Sequence, residues 1–173
     1  NKKFELGLIR NHYVGRTFIE PTQNIRSLGV KLKLNPTKTF VKNKTIILID
    51  DSLVRGTTCY KIVRMLYESG AKKVHVRIAC PEIKYPDFYG VDMPTKEELL
   101  AYKKNNEEMR DYIKAESLEF LSLDGLYNAL IGEKRNSNYP QFSDHYFTGD
   151  YPIAPSDNLK GYKVKQLSLL SSN

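Results

Sequence analysis

Apolar positions along the chain follow two rhythms. "TIILID" (45–50) is an unbroken apolar run of strand length that ends in a carboxylate, and both of its faces are hydrophobic. That is the pattern of a central strand in a parallel sheet, buried on both sides. Cys59, Ile62, Val63 and Leu66 then recur at the i, i+3, i+4, i+7 spacing of one helix face, so a helix is predicted over 57–69, stopped by Gly70. "KVHVRIAC" (73–80) alternates, with Val74, Val76 and Ile78 pointing one way, and reads as the next strand. Strand, helix and strand in this order form a βαβ unit, which requires a parallel sheet with a right-handed crossover.

The flanking pattern is weaker. "FELGLI" (4–9) reads as a short strand, and 10–23 shows no period and reads as a loop. Residues 24–34 read as a short basic helix interrupted by Gly29 and ended before Asn35-Pro36. "TKEELLAYKKN" and "NEEMRDYIKA" read as helices, "LEFLSL" (118–123) as a strand and "LDGLYNALIG" (123–132) as a closing helix. Beyond Gly132 the sequence is polar, dotted with aromatics and broken by prolines. The expected fold is therefore α/β: an open Rossmann-like parallel sheet over 1–132, then an irregular tail over 133–173 laid on that domain, its last residues disordered.

Composition changes this picture little. Forty per cent hydrophobic and 27% charged residues in 173 are ordinary for a globular chain. No apolar run approaches the roughly 18–20 residues of a membrane helix. The chain starts at Asn1, inside a segment that already reads as structured, and is expected to be a fragment. Two unpaired cysteines, Cys59 and Cys80, suggest neither a disulfide framework nor a zinc module. Both are expected to be small buried core residues in a protein of the reducing cytoplasm. His12, His75 and His145 have no metal-ligand spacing. His75 on its strand and His145 in a loop are expected to be structural or solvated. The net charge of +7 is uneven: ten Lys and Arg against Glu5 and Glu20 give residues 1–44 a charge of +8. Such a field attracts polyphosphates, nucleic acid or an acidic partner alike.

The chemistry concentrates where "TIILID" ends. Asp50 and Asp51 stand at the carboxyl end of a parallel strand, the side on which open α/β sheets bind ligands. Gly56-Thr57-Thr58 opens the following helix, where free N–H groups and the helix dipole suit a phosphate. Two carboxylates beside a phosphate cradle repel the ligand unless they grip something else. Sugar hydroxyls and Mg²⁺ answer that need. The constellation asks for a phosphorylated sugar. A turn and helix cap explain either half alone, and a phospho-acceptor Asp would not need the cradle.

At these residues "IILIDDSLVRGTT" resembles the phosphoribosyl pyrophosphate (PRPP) signature of the type I phosphoribosyltransferases, and within them the glutamine PRPP amidotransferase branch. "NHYVGRTFIEPTQ" (11–23), "GAKKVHVRIACPEI" (70–83) and "YPDFYGVDMPTKEELLA" (85–101) are similar to the same branch, and the match resumes weakly at "FTGDYP" (147–152). The resemblance implies that Asp50 and Asp51 take the ribose hydroxyls and Mg²⁺. It implies that the loop from Ser52 through Val54, Arg55, Gly56, Thr57 and Thr58 holds the 5′-phosphate. "RNHYVGRTFI" would be the family's catalytic loop, with Arg10, Tyr13 and Arg16 acting on the pyrophosphate; Arg10 stands where relatives carry Lys. The implied reaction transfers glutamine-derived ammonia to PRPP, giving 5-phosphoribosylamine, pyrophosphate and glutamate, the first step of purine synthesis. The expected partners are PRPP, ammonia from a glutaminase domain, inhibitory purine nucleotides and, in the full-length protein, further copies of itself.

The sequence also departs from that branch. Nothing in it matches the glutaminase domain or the family's earlier pyrophosphate-binding loop, so the chain is expected to be the carboxyl-terminal portion of the transferase domain, catalytically incomplete alone. Some members hold an iron–sulfur cluster on four cysteines. Here Asp87, Ser143 and Tyr146 stand at such positions, thiolate ligation is impossible there, and no cluster is predicted. Two other readings compete. One is a PRPP-sensing regulator of the same fold that binds nucleic acid through the basic amino-terminal segment; it is disfavoured because no DNA-binding helical module is visible. The other is a phosphoribosyltransferase acting on a nucleobase, disfavoured by "YPDFYGVDMP".

Overall fold

The computed structural model describes residues 3–10, 34–138 and 140–153. In chain order its elements are β1 (Leu8–Arg10), β2 (Leu34–Pro36), α1 (Lys38–Val41), β3 (Thr45–Asp50), α2 (Thr57–Glu68) and β4 (Lys73–Ile78). A 3₁₀ turn (Lys96–Glu98) follows, then α3 (Leu100–Lys103), α4 (Asn106–Ile113), β5 (Ser117–Phe120), α5 (Leu123–Ile131) and α6 (His145–Thr148). Strands β3, β4 and β5 form a parallel sheet in that order, and β1 pairs antiparallel with β2. The fold is α/β, as expected.

The βαβ unit matches its periodicity. β3 occupies the predicted residues, and α2 ends one residue before the predicted limit. Cys59, Ile62, Val63 and Leu66 are buried, together with Val74, Val76 and Ile78 of β4. Met109 and Ile113 of α4, Leu118 of β5, and Leu100 and Ala101 of α3 close the same core. Each fully buried aliphatic side chain contributes about 1.5–3 kcal/mol of transfer free energy, so this cluster fixes the relative placement of strand ends and helix starts. α4 begins at a capping box, in which Asn105 Oδ1 accepts the Glu108 N–H and Glu108 Oε2 accepts the Asn105 N–H.

Three expectations are corrected. β3 is not buried on both faces: Ile46 and Leu48 pack on the core, while Ile47 and Ile49 are 45% and 69% exposed. Among the described residues no element packs over this outward face, and β3 is in addition an edge strand, paired only with β4. Leu34 belongs to β2 and not to a helix end, because it pairs with Arg10 in the antiparallel β1–β2 ladder; 24–33 lie outside the described residues. Residues 95–105 form a 3₁₀ turn and one short helix. The described region after Gly132 is irregular, as expected, apart from the four-residue α6, and it carries the ion pairs described below.

The outward face of the sheet changes character across its width. In register, Ile47 stands beside His75, and Ile49 beside Arg77, while Arg77 stands beside Glu119. On β4 and β5 this face is polar and satisfied: His75 Nδ1 lies 2.8 Å from Ser117 Oγ, and Arg77 Nη1 donates to the same hydroxyl at 3.0 Å. His75 is thus structural, as expected. On β3 the face is apolar.

Candidate functional site

β3 delivers Asp50 and Asp51 to the carboxyl end of the sheet, and α2 begins at Thr57. The loop between them is held at both ends. The Ala79 N–H donates to the Asp50 carbonyl (2.9 Å), and Leu53 is buried. The Asp51 N–H donates to Asp50 Oδ1 (3.1 Å), and Ser52 Oγ–H donates to Asp51 Oδ1 (3.1 Å). The two carboxylates therefore sit on one short turn. Burial and the adjacent Asp51 charge push the Asp50 carboxyl up, outweighing the hydrogen bond from the Asp51 N–H.

Gly56 is the hinge of the cradle. It adopts the left-handed conformation (φ +75°) and immediately precedes α2. A Cβ there would meet Leu100 Cδ2 at 2.6 Å and Tyr112 Cε1 at 3.0 Å. Only glycine suits both the backbone angle and the close wall. No side chain caps α2, and its first turn carries no acidic residue. The N–H groups of Thr57, Thr58 and Cys59 thus lack helical acceptors, at the positive end of a twelve-residue helix. The loop's outer wall comes from residues far along the chain. Leu100 N–H donates to the Val54 carbonyl (2.8 Å), and Arg55 Nε donates to Glu98 Oε2 (2.5 Å). Sequence reasoning missed Glu98, and no local signal marks it, since its partner is 43 residues away.

Asp50, Asp51, Ser52, Val54, Arg55, Gly56, Thr57 and Thr58 are therefore brought together on one turn. Arg10 closes β1 opposite Leu34, and only its backbone is described. Tyr13, Arg16 and His12 lie outside the described residues. Two acids with water and substrate oxygens make a donor set that suits Mg²⁺, an ion that keeps several waters and uses one or two carboxylates. The thiols are not nucleophiles. Burial and the Asp50 charge push Cys59 up to about 12; burial and the Asp51 charge push Cys80 up to about 11. Cys59 is buried as expected, whereas Cys80 is only partly buried, because it lies past the end of β4. A hollow of about 310 Å³ lies beyond β4 and β5, lined by Pro81, Glu82, Asn106 and Phe120 among others, and the residues of the turn do not line it.

A second polar cluster lies in the tail. Asp87 Oδ2 accepts the N–H groups of Tyr89 (2.8 Å) and Val91 (2.7 Å), and Oδ1 lies 2.8 Å from His145 Nε2. Ser143 Oγ lies 3.0 Å from His145 Nδ1, and Tyr146 also bonds Asp87. Asp87, Ser143 and Tyr146 thus converge around a buried His145, which opens α6 rather than lying in a loop. Next to it, Asp144 accepts from Tyr127 Oη (2.8 Å), Arg135 Nε (2.6 Å) and Thr148 Oγ1 (3.2 Å), and Arg135 also reaches Asp150 (2.6 Å). Burial raises both carboxyls, but the donors outweigh it and hold Asp87 and Asp144 below the usual range.

No family model matches the chain. Over 171 residues it is 55% identical to the amidophosphoribosyltransferase of Rhizobium etli, covering 98% of this chain and 34% of that protein. Over 174 residues it is 49% identical to the amidophosphoribosyltransferase of Staphylococcus aureus, covering 98% and 35%. In sequence and fold the chain is similar to about one third of the length of the amidophosphoribosyltransferases. The structure of glutamine PRPP amidotransferase from B. subtilis complexed with ADP and GMP aligns with a TM-score of 0.72 at 48% identity, covering 86% of this chain and 32% of that one. A structure described as the allosteric regulatory enzyme of purine biosynthesis aligns equally well, at 47% identity. The chain spans about a third of the length of the relatives it matches. The relatives are enzymes, and the regulatory alternative is not favoured.

Proposed function

We propose that the polypeptide carrying these residues is a Mg²⁺-dependent amidophosphoribosyltransferase, transferring glutamine-derived ammonia to PRPP to give 5-phosphoribosylamine, pyrophosphate and glutamate. The observation that carries this reading is the acid pair at the end of β3, placed directly before the glycine turn and the uncapped start of α2. Asp50 and Asp51 bind the ribose hydroxyls and the metal, and Ser52, Val54, Arg55, Gly56, Thr57 and Thr58 form the 5′-phosphate cradle. Mg²⁺, when bound, neutralises the pyrophosphate leaving group. A C–N bond forms at the anomeric carbon as the C–O bond to pyrophosphate breaks, and a neutral ammonia needs no general base. Arg10, Tyr13 and Arg16 close over the substrate, stabilise the departing charge and exclude water.

In this reading residues 1–132 are the carboxyl-terminal part of the transferase domain and 133–173 its tail. The exposed Ile47 and Ile49 on a parallel edge strand support it, since such strands are covered on both faces in complete sheets. The fragment alone is therefore catalytically incomplete. A neighbour bound to ADP and GMP supports purine nucleotides as inhibitors of the whole enzyme, which we place in the cytoplasm as a homo-oligomer. Among the described residues no helix is long and apolar enough to cross a membrane. The test is calorimetry of Mg–PRPP binding to the full-length polypeptide. Asp50→Asn with Asp51→Asn should weaken binding by about two orders of magnitude, the scale of losing a divalent-ion clamp. Undiminished affinity rejects the reading.

A further inference from the structure

We propose that Glu98 is a positioning residue for the phosphate cradle, holding the Arg55 guanidinium in register for the 5′-phosphate of PRPP. The proposal rests on the site reading above and deepens it. Glu98 ends the 3₁₀ turn at 96–98, and two residues later the Leu100 N–H is fixed on the Val54 carbonyl at 2.8 Å. That bond anchors the backbone beside Arg55, so the Glu98 carboxylate reaches Arg55 Nε (2.5 Å) from a defined origin. The side chain of Leu100 and the ring of Tyr112 complete the wall against Gly56. Three contacts from one segment thus bear on three consecutive residues of the cradle, Val54, Arg55 and Gly56.

Use of Nε leaves the two Nη groups of Arg55, the fork that recognises a phosphate in bidentate fashion, without partners among the described residues. The side chains of Arg55 and Glu98 are 33% and 49% exposed, where an ion pair adds little to stability. Its consequence is orientation. Without Glu98, the guanidinium is free to turn toward the carboxylates of Asp51 and Asp50, four and five residues earlier, and the cradle loses its fixed cation. Ordering a long side chain before the ligand arrives removes an entropic cost from binding.

The test is steady-state kinetics on the full-length enzyme with saturating glutamine and Mg²⁺. Glu98→Gln should raise the KM for PRPP about fivefold, with kcat within about twofold and the melting temperature unchanged, the size expected for losing pre-organisation of one charged contact. Glu98→Asp, which keeps the charge, should recover part of the loss. On an Arg55→Ala background, Glu98→Gln should add nothing, because Glu98 acts through Arg55. An unchanged KM, a lowered KM (the sign of Glu98 competing with phosphate), or additive losses in the double variant each overturn the proposal. The two readings fail separately. If the Asp50/Asp51 variant keeps its PRPP affinity, the site reading falls; if that variant loses affinity but Glu98→Gln leaves KM unmoved, only the role of Glu98 falls.

Discussion

The molecule uses aspartate in two opposite ways. In the tail, Asp87 and Asp144 are surrounded by donors: two backbone N–H groups, His145 and Tyr146 for the first, and Arg135, Tyr127 and Thr148 for the second. Their carboxyls are held low, and their charge belongs to the folded state. At the end of β3, Asp50 is half-buried beside Asp51, its carboxyl is held high, and among the described residues only the Asp51 N–H opposes that shift. Satisfied acids buttress a structure. An acid pair at a strand end, with one carboxyl raised by burial and by its neighbour's charge, marks a candidate binding site.

The comparison breaks most sharply at Arg135. Its side chain is 10% exposed and that of Asp144 is 4% exposed, so Arg135→Met strands a buried charge at a cost of about 3 kcal/mol. The Lys84 and Tyr85 N–H groups, both donated to the Tyr146 carbonyl, report it. Their hydrogen exchange should accelerate strongly in Arg135→Met and remain unchanged in Asp50→Asn. Equal effects would erase the distinction between the two kinds of acid.

A smaller effect sharpens the picture at the cradle. Gly56→Ala forces a left-handed alanine against Leu100 and Tyr112 and should cost about 2 kcal/mol, read by chemical denaturation, while weakening PRPP binding. An alanine variant that binds PRPP normally would mean that this close wall does not shape the loop.

The smallest effect is in pH, where the two regions separate. Asp87 and Asp144 have lowered folded values, so they contribute stability above the ordinary carboxylate pKa of about 3.9, and lose it as pH falls through those lower values. Asp50 has a raised folded value, so its charged form costs stability above that value and the cost is relieved on acidification. Titrating downward, Mg²⁺ affinity should therefore decline first, through the raised value of Asp50, while protection of the Lys84 and Tyr85 amides persists to lower pH. Coincident transitions would contradict the opposite shifts.

Much of this was legible in the chain. The apolar run of β3 and the i, i+3, i+4, i+7 face of α2 located strand, turn and helix, and with them the Asp pair and Gly56, because each pattern is set by neighbours a few residues apart. The exposure of Ile47 and Ile49 was not legible, since an apolar side chain is the same letter whether or not a neighbouring layer covers it. Nor was the role of the tail. Its composition read as irregular, yet Asp87 meets His145 across 58 residues.

Local sequence, then, determined which segments become strand or helix and where the acid pair and the glycine turn fall, because backbone periodicity and glycine stereochemistry act over a few residues. Tertiary structure alone decided which acids are ringed by donors and which carboxylate pairs with Arg55. Those outcomes depend on distances between groups far apart in the chain, and only the packed core sets such distances.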